Sequence, residues 1–267
     1  MEMRFLDKAK NFLESGAKLL PFSPFPPAGD RAAYDELPAE LKKRLIAAGE
    51  TCLGYQYPPI YATSFMAFKR TGNRTDFEKL YFQRRYRLNS LVVAECIENS
   101  GRFLDDIING IFALCEESGW QLPPHNAYRR DQAQELLPDA ARPVLDLFAC
   151  ETGAQLGCIY YLLKDQLDAV SPVICSRILD ELNRRIVTPY LSEHFWWMGQ
   201  GEEPMCNWTP WCTQNVLLAV FLTENPQDIR RAVLEKAAAS CDFFLKDYGD
   251  DGCCDEGAQY FRRAGLC

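Results

Sequence analysis

The sequence feature that most constrains the fold is a succession of long helical segments separated by short Pro, Gly or Asn breaks. Helical periodicity predicts helices near residues 2–16, 37–53, 60–70, 75–99, 102–118, 144–164, 171–193, 208–223 and 226–247. β-branched residues are few, and no alternating apolar stretches flank an Asn-Gly or Asp-Gly turn as they would in a hairpin. The sequence therefore predicts an all-α protein.

The later predicted helices form three pairs, whose first members start about 65 to 70 residues apart. The pairs are 75–99 with 102–118, 144–164 with 171–193, and 208–223 with 226–247. This is the layout of stacked helical hairpins, although the pairs share little sequence identity. We predict a single domain over residues 1–267, an incomplete (α/α) toroid with loops on one face forming a cleft. Residues 1–35 would supply an N-terminal helix and a Pro-rich lead-in.

The charge balance argues against two classes of partner. Asp and Glu number 37 against 29 Lys and Arg, and the formal net charge is -8, with no basic tail or stripe. Nucleic acid and anionic membranes need clustered positive charge, so neither is an expected partner. The N-terminus has charges throughout and lacks the apolar stretch of a signal peptide, and no window approaches the ~18 apolar residues of a membrane span. We expect a soluble, cytoplasmic protein.

The chain has twelve cysteines, and seven of them lie within helical patterns beside Leu, Val and Ala: Cys96, Cys115, Cys150, Cys158, Cys175, Cys212 and Cys241. A free thiol in such surroundings behaves as a small buried hydrophobe. The sequence has no CxxC pair, only the adjacent Cys253 and Cys254, and it has two histidines. We therefore expect reduced core thiols and no zinc site.

The first candidate functional motif is MCNWTPWCTQN, residues 205–215, at the start of a predicted helix. Asn207 or Thr209 could simply cap that helix, with Pro210 tolerated in its first turn. Trp208 and Trp211 add flat apolar faces of the kind that pack on the C–H face of a sugar ring. The motif is thus either a capped helix start with a core tryptophan or one wall of a sugar-binding cleft.

The second candidate motif is YGDDGCCDEGAQYFRRAG, residues 248–265. Its glycines break the chain, and Asp255 or Glu256 can begin a new helix. Tyr260 lies four residues after Glu256, on the same face of such a helix, with Arg262 and Arg263 close by. The structural alternative is a turn, a cap and a half-buried tyrosine.

Four aromatic or imidazole side chains outside these motifs are also candidates. His125 lies beside Asn126 in a loop between two predicted hairpins. His194 stands at a predicted helix end, where an imidazolium would interact favourably with the helix dipole. Trp196 and Trp197 follow it and could line the cleft or fill the core, with the core expected for at least one of them.

The Asn-Trp helix entrance, followed some 45 residues later by DG-x-x-x-EG-x-x-Y, resembles the heparinase II/III-like family of polysaccharide lyases. The stretches ENSGRFLDDIINGIFALCEESGWQLPPHN and FWWMG extend the resemblance over roughly residues 55 to 267. The family places these loops around the cleft of an (α/α) toroid that a β-sandwich domain follows. This sequence contains no β-sandwich and ends at RRAGLC, so we expect the full-length protein to supply that domain.

The resemblance implies β-elimination at a uronic acid residue of an anionic oligosaccharide or polysaccharide. Asn207 would neutralise the uronate carboxylate, together with a protonated Glu256, by donating hydrogen bonds where charge develops. Tyr260 would transfer protons, and a basic role would require Arg262 or Arg263 to favour its phenolate. His125 and Asn126 match a substrate-binding pair of the family. Trp208, Trp211 and Arg262 would complete the substrate contacts, and no metal or other cofactor would be required.

The sequence departs from the family pattern around Asn207, which is flanked by Cys206 and Trp208, whereas family members commonly carry a histidine there. The histidine of the β-sandwich also has no counterpart. A second proton-transfer group is therefore not identified from the sequence.

Three other functions are compatible with the sequence. A toroid glycoside hydrolase would use two of the carboxylates Asp250, Asp251, Asp255 and Glu256 as acid and base. A class I terpenoid synthase would hold magnesium with Asp105, Asp106 and Asn109, but no second metal-binding motif of that type follows. A catalytically incomplete chain could bind sugar without cleaving it.

Overall fold

The computed structural model describes residues 4–249, 251–252 and 256–267. Within these ranges the chain is helical and has no strand, which confirms the predicted all-α class. The α-helices are α1 Phe5–Glu14, α2 Arg31–Asp35, α3 Ala39–Glu50, α4 Ala62–Thr71, α5 Thr75–Glu98, α6 Leu104–Cys115, α7 Leu147–Val170, α8 Pro172–Leu182, α9 Thr188–Ser192, α10 Trp208–Phe221, α11 Gln227–Leu245 and α12 Phe261–Leu266. Short 3-10 turns at Pro123–His125 and Trp196–Met198 and a π turn at Asn183–Val187 stand between them.

The predicted helix 171–193 is divided in the structure into α8, the π turn and α9. Pro189 is the physical reason. A proline lacks the N–H that would bond to the carbonyl four residues earlier, here that of Arg185, and its ring crowds that carbonyl. The π turn widens the helix over the residues that include Arg185, as insertions of this type do.

Local capping signals explain the other breaks. Asn99 ends α5 in the left-handed conformation, and Gly101 also has a positive φ, so the chain turns sharply before α6. The Ser171 hydroxyl accepts a hydrogen bond from the Val173 N–H at the start of α8, and Pro172 occupies its first position.

Helix α7 lies at the centre of the packing and contacts α5, α8 and α10. Its two glycines allow close approach: a Cβ added to Gly157 would lie 3.1 Å from the Ala219 Cα of α10. A Cβ on Gly153 would lie 2.8 Å from Cγ1 of Ile186. The core therefore depends on small residues in the middle of α7, which let the α10 backbone and the Ile186 side chain approach.

Polar contacts join α5 to α7 inside this core. The Arg85 guanidinium donates from Nε to Oγ1 of Thr152 over 2.8 Å, and Thr152 lies 3.0 Å from the Tyr81 hydroxyl. Glu117 pairs with the same arginine, 2.8 Å from Nη2. The buried charge is thus paired and hydrogen-bonded, as burial requires.

The remaining helices pack around this centre. Consecutive helices α5 and α6, α7 and α8, and α10 and α11 contact each other, and α3 packs on α5. Helix α1 packs on α11, where the Asp242 carboxylate accepts hydrogen bonds from the N–H groups of Phe5 and Leu6 at 2.8 and 3.0 Å. A carboxylate at a helix N-terminus satisfies donors that have no partner within the helix, so α11 fixes the start of α1.

Two sequence expectations concern the chain as a whole. None of the ten cysteines among the described residues forms a disulfide, and five of the seven thiols predicted to be in the core are buried. Cys158 and Cys241 are half-buried, and Cys253 and Cys254 lie outside the described residues. Over the described ranges, no helix combines the length and the apolar character that crossing a bilayer needs.

Candidate functional site

Asn207 lies at the entrance of α10 and is 4% exposed. Its backbone N–H donates a hydrogen bond to Oε2 of Glu256, and its amide Nδ2 donates to Oε1 of the same carboxyl group at 3.0 Å. Asn207 occupies the N-cap position, but its side chain does not cap the helix. The Thr209 hydroxyl donates to the Trp197 carbonyl oxygen at 2.7 Å, so neither proposed capping side chain caps α10.

Glu256 connects the two motifs that the sequence analysis singled out. Burial raises the pKa of its carboxyl group, and the hydrogen bond from the Asn207 backbone N–H acts in the opposite direction. A raised pKa favours the protonated acid at a given pH. The carboxyl group is therefore held by two preorganised donors and is easier to protonate than a free glutamate.

His125 forms a close pair with Asp146, which the sequence analysis did not single out. The His125 Nδ1 lies 2.7 Å from Oδ2 of Asp146, and the imidazole is 16% exposed. Asp146 is buried and also accepts hydrogen bonds from the N–H groups of Leu122, Phe148 and Ala149. Because an ionised carboxylate only accepts, Nδ1 carries the hydrogen and a neutral imidazole keeps its lone pair on Nε2.

Asn126, for which a substrate contact is predicted, makes hydrogen bonds within the protein. Its side chain is buried, and Nδ2 donates to the carbonyl oxygens of Glu135 and Leu137, both at 3.0 Å. Its Oδ1 accepts from Nε2 of Gln121 at 2.8 Å. These three bonds use the amide to hold the loop that carries His125, so a substrate contact through this side chain would first require breaking them.

Trp208 and Trp211 are both half-buried and face different neighbours. The Trp208 ring lies 4.8 Å from the His125 ring and 5.0 Å from the Trp196 ring, measured between centroids. Trp211 donates from Nε1 to Oε1 of Glu151 at 2.8 Å. Of the two residues between which the core assignment was left open, Trp197 is fully buried, whereas Trp196 is partly exposed beside Trp208.

Glu151 is a second carboxyl group with an altered acidity. Burial raises its pKa, the hydrogen bond from Trp211 lowers it, and the nearby Asp146 charge raises it further. The residue lies in the second turn of α7, within a predicted helix (144–164) that contains one other acidic residue, Asp146. No local sequence signal distinguishes it from an ordinary solvated glutamate, and only the packing of α10 on α7 reveals it.

Tyr260 immediately precedes α12 and is 42% exposed. The segment around it is anchored to α10 on both sides, by Glu256 on Asn207 and by the Arg263 guanidinium 5.2 Å from the Trp211 ring centroid. Arg262 lines a shallow pocket of about 460 Å³ together with Trp211 and Cys267. Arg263 thus makes a cation–π contact with Trp211, and support of a Tyr260 phenolate by Arg262 or Arg263 stays a prediction.

The residues that the rival functions would use are described only in part. Oδ1 of Asp106 accepts a hydrogen bond from the Gly54 N–H at 3.0 Å, while Asp105 is exposed. Among the described residues, no group of three or more His, Cys, Asp and Glu side chains is arranged to hold a metal ion. Asp251 lies exposed in a turn, whereas Asp250 and Asp255 lie outside the described residues.

His194 lies just after α9, as predicted, but its electrostatics differ from the predicted role. Burial and the neighbouring Lys236 charge lower the pKa of its imidazole. A lowered pKa favours the neutral ring over the imidazolium at a given pH.

No protein-family model and no curated protein matches this chain. The function is therefore inferred from the residues of the site.

Proposed function

We propose that this chain is the toroid part of a polysaccharide lyase similar to the heparinase II/III-like family, cleaving uronate-containing oligosaccharides by β-elimination. The observation that carries the proposal is the contact between Asn207 and Glu256. It joins the Asn-Trp helix entrance to the segment that carries Tyr260, which supports one site for the two motifs that resemble the family. The lateral contacts of α5 with α7 and of α7 with α10 support a toroid in which these helices form the inner row.

The first chemical requirement is neutralisation of the uronate carboxylate, because the proton at C5 is acidified only when that charge is compensated. The two Asn207 donors hold a carboxyl group, that of Glu256. A uronate carboxylate has the same shape and hydrogen-bonding capacity. Protonated Glu256 would share these donors with the substrate and donate its own O–H, which avoids repulsion between two carboxylates.

The second requirement is proton transfer at two atoms. A base takes the C5 proton, the electron pair forms the C4–C5 double bond, the bond from C4 to the glycosidic oxygen breaks, and that oxygen takes a proton. His125 is suited to be the base because Asp146 fixes its Nδ1–H and leaves Nε2 as the acceptor. Tyr260 then protonates the leaving oxygen, a role its hydroxyl can play in the neutral form.

Two tryptophans would complete the site. Trp208 packs against the His125 ring and Trp211 against Arg263, and each is partly exposed. Their apolar faces would orient the sugar ring, and Arg262 in the neighbouring pocket would add a positive charge for the acidic substrate.

The test is the mass of the products after incubation with uronate oligosaccharides. Elimination adds no water, so the masses of the two products sum to that of the substrate. Hydrolysis adds one water, and a purely binding protein gives no products. Products whose summed mass exceeds that of the substrate by one water would contradict the proposal.

One observation favours a second candidate, a glycoside hydrolase on the same fold. Glu151 and Glu256 both have raised pKa values; Glu151 contacts Trp211 in the first turn of α10, and Glu256 contacts Asn207 just before it. A carboxylic acid with a raised pKa can protonate a glycosidic oxygen, and a second carboxylate can act as base or nucleophile. The product masses distinguish this candidate from the lyase directly.

A further inference from the structure

A cavity of about 480 Å³ lies beside α4, α5 and the end of α6. Phe65 of α4 and Phe77 of α5 form part of its wall, with their ring centroids 5.2 Å apart in an edge-to-face contact. Tyr61 and Leu137 also line the cavity, and both side chains are exposed. The volume is within the range of about 300–1,000 Å³ that small-molecule sites have. None of the described residues to which catalysis or sugar binding is assigned lines this cavity, so it is separate from the proposed lyase site.

A buried cluster of charged side chains adjoins the cavity. Arg84 lines the cavity and is 6% exposed. Its Nη1 donates to Oε1 of Glu117 at 3.1 Å, and its Nη2 donates to the Pro58 carbonyl oxygen. Glu117 also pairs with Arg85, 2.8 Å from Nη2. One carboxylate thus serves two guanidinium groups, so these three side chains keep one positive charge in excess. Because a buried charge is costly unless it is paired, the cluster favours a ligand with one negative charge.

Two buried donors of residues that line the cavity have no hydrogen-bond partner among the described residues. They are Nε of Arg84 and the hydroxyl group of Tyr57. Burial raises the pKa of Tyr57 to about 12, so its hydroxyl stays protonated near neutral pH and can donate. Buried donors are stabilised by an acceptor, and a charged acceptor forms the stronger hydrogen bonds. Glu116 also lines the cavity, but it is exposed, so solvent screens its charge.

We propose that this cavity is a binding site for a small aromatic carboxylate. The ring of the ligand packs against Phe65 and Phe77, and the exposed Tyr61 ring covers it from the solvent side, since aromatic rings attract one another edge to face or offset. The carboxylate of the ligand accepts from the Tyr57 hydroxyl and from Nε of Arg84, and it supplies the negative charge that the buried cluster lacks. This site is independent of uronate elimination.

The experiment compares aromatic carboxylates with their neutral counterparts. Phenylacetate and indoleacetate are titrated by calorimetry into the unsubstituted chain, each beside the alcohol of the same carbon skeleton. We expect at least one of the two carboxylates to bind, and its alcohol to bind about tenfold more weakly or less, because the alcohol has the ring but not the charge. Tyr57→Phe should lower the affinity for that carboxylate about three- to tenfold, because one of the two donors is lost.

Tyr55→Phe is the matched control. It also removes a buried hydroxyl group that has no partner among the described residues, but Tyr55 does not line the cavity. Its affinity for the carboxylate should equal that of the unsubstituted chain. Ala113→Leu places a larger apolar side chain in the wall of the cavity and should abolish binding of both carboxylates. Thermal melting checks that each variant is folded, and Tyr57→Phe loses only a hydroxyl group, so it serves as the test even where Ala113→Leu does not fold.

Three results would overturn the proposal. The first is that neither carboxylate binds to the folded unsubstituted chain. The second is that a carboxylate and its alcohol bind with equal affinity, which would remove the role of Arg84 and its buried cluster. The third is that Tyr55→Phe and Tyr57→Phe change the affinity alike, which would place the ligand elsewhere. The lyase proposal stands or falls by the products of uronate oligosaccharides, so its test is separate from this one.

Discussion

The side-chain amide of Asn207 donates from Nδ2 to Oε1 of Glu256 at 3.0 Å, across 49 residues of sequence. The backbone N–H of Asn207 binds the other oxygen of the same carboxyl group. Two donors on one residue thus hold both oxygens of one carboxyl group at the start of α10. This arrangement leads to the first prediction.

Asn207→Ala should lower the rate of elimination about 10²- to 10³-fold, the usual effect of removing one donor from a site of developing charge. The loss of stability should be small, about 0.5–1.5 kcal/mol, because the side chain makes a hydrogen bond but does not cap α10. Rate and denaturant unfolding should be measured together. An unchanged rate in a folded variant would contradict the assigned role of the amide.

Asp146→Asn should destabilise the protein by about 1–3 kcal/mol, because its carboxylate accepts from three backbone N–H groups and from His125. An amide has one oxygen, so its NH₂ group would face donors that need an acceptor. Asp139→Asn is the control: its exposed carboxylate accepts from the Ala141 N–H, and its replacement should change stability by less than about 0.5 kcal/mol. Equal unfolding midpoints for the two variants would show that the Asp146 hydrogen bonds contribute nothing.

Much of this architecture follows from local chemistry. Asn99, Gly101 and Pro172 end or begin helices where the sequence predicts breaks, because left-handed φ values and missing N–H groups act over a few residues. The π turn before Pro189 was not predicted. The helical spacing of apolar residues continues on both sides of Pro189, and this spacing predicts one continuous helix.

Only those residues of the candidate site that belong to a sequence motif can be predicted from the sequence. Asn207 and Glu256 belong to the two motifs whose spacing resembles a known family, and the structure brings them into contact. Asp146 and Glu151 have no such signal, since their importance arises from the loop of His125 and from α10 packing on α7. Asn126 is a different case. Its position next to His125 suggests substrate binding, but its side chain donates hydrogen bonds to carbonyl oxygens of a loop whose course the sequence does not reveal.

The buried carboxyl group of Glu151 predicts a dependence of stability on pH. Its pKa is raised in the folded chain, while an unfolded glutamate titrates near ~4.3. Below that value the group is protonated in both states. As pH rises toward and through the folded pKa, ionisation favours the unfolded chain, so the stabilising contribution of the folded protonated form is lost.

Glu151→Gln should therefore become progressively more stable than the unsubstituted chain as pH rises above ~4.3. The glutamine oxygen can still accept from Nε1 of Trp211, so the hydrogen bond is retained. Melting temperatures across a pH series give the difference, and the most acidic points serve as the internal control. A difference that stays constant with pH would show that Glu151 titrates alike in both states.

Gly157→Val should destabilise the protein by about 1–3 kcal/mol through overpacking of α7 against α10. Even a Cβ at this position would lie 3.1 Å from the Ala219 Cα, which belongs to backbone and cannot rotate away. Gly29→Ala is the control, because nothing lies within 4 Å of the added Cβ. A Gly157→Val protein that unfolds at the same denaturant concentration as the control would contradict the close helix contact.

The most direct test of the central claim is the ultraviolet absorbance of the conjugated C4–C5 double bond during incubation with uronate oligosaccharides, for the unsubstituted chain and for Tyr260→Phe. Tyr260 is 42% exposed, so loss of its hydroxyl should leave the melting temperature unchanged. We expect a rise in absorbance for the unsubstituted chain and none for the folded variant. Release of reducing ends without any rise, or an equal rise in Tyr260→Phe, would contradict elimination at this site.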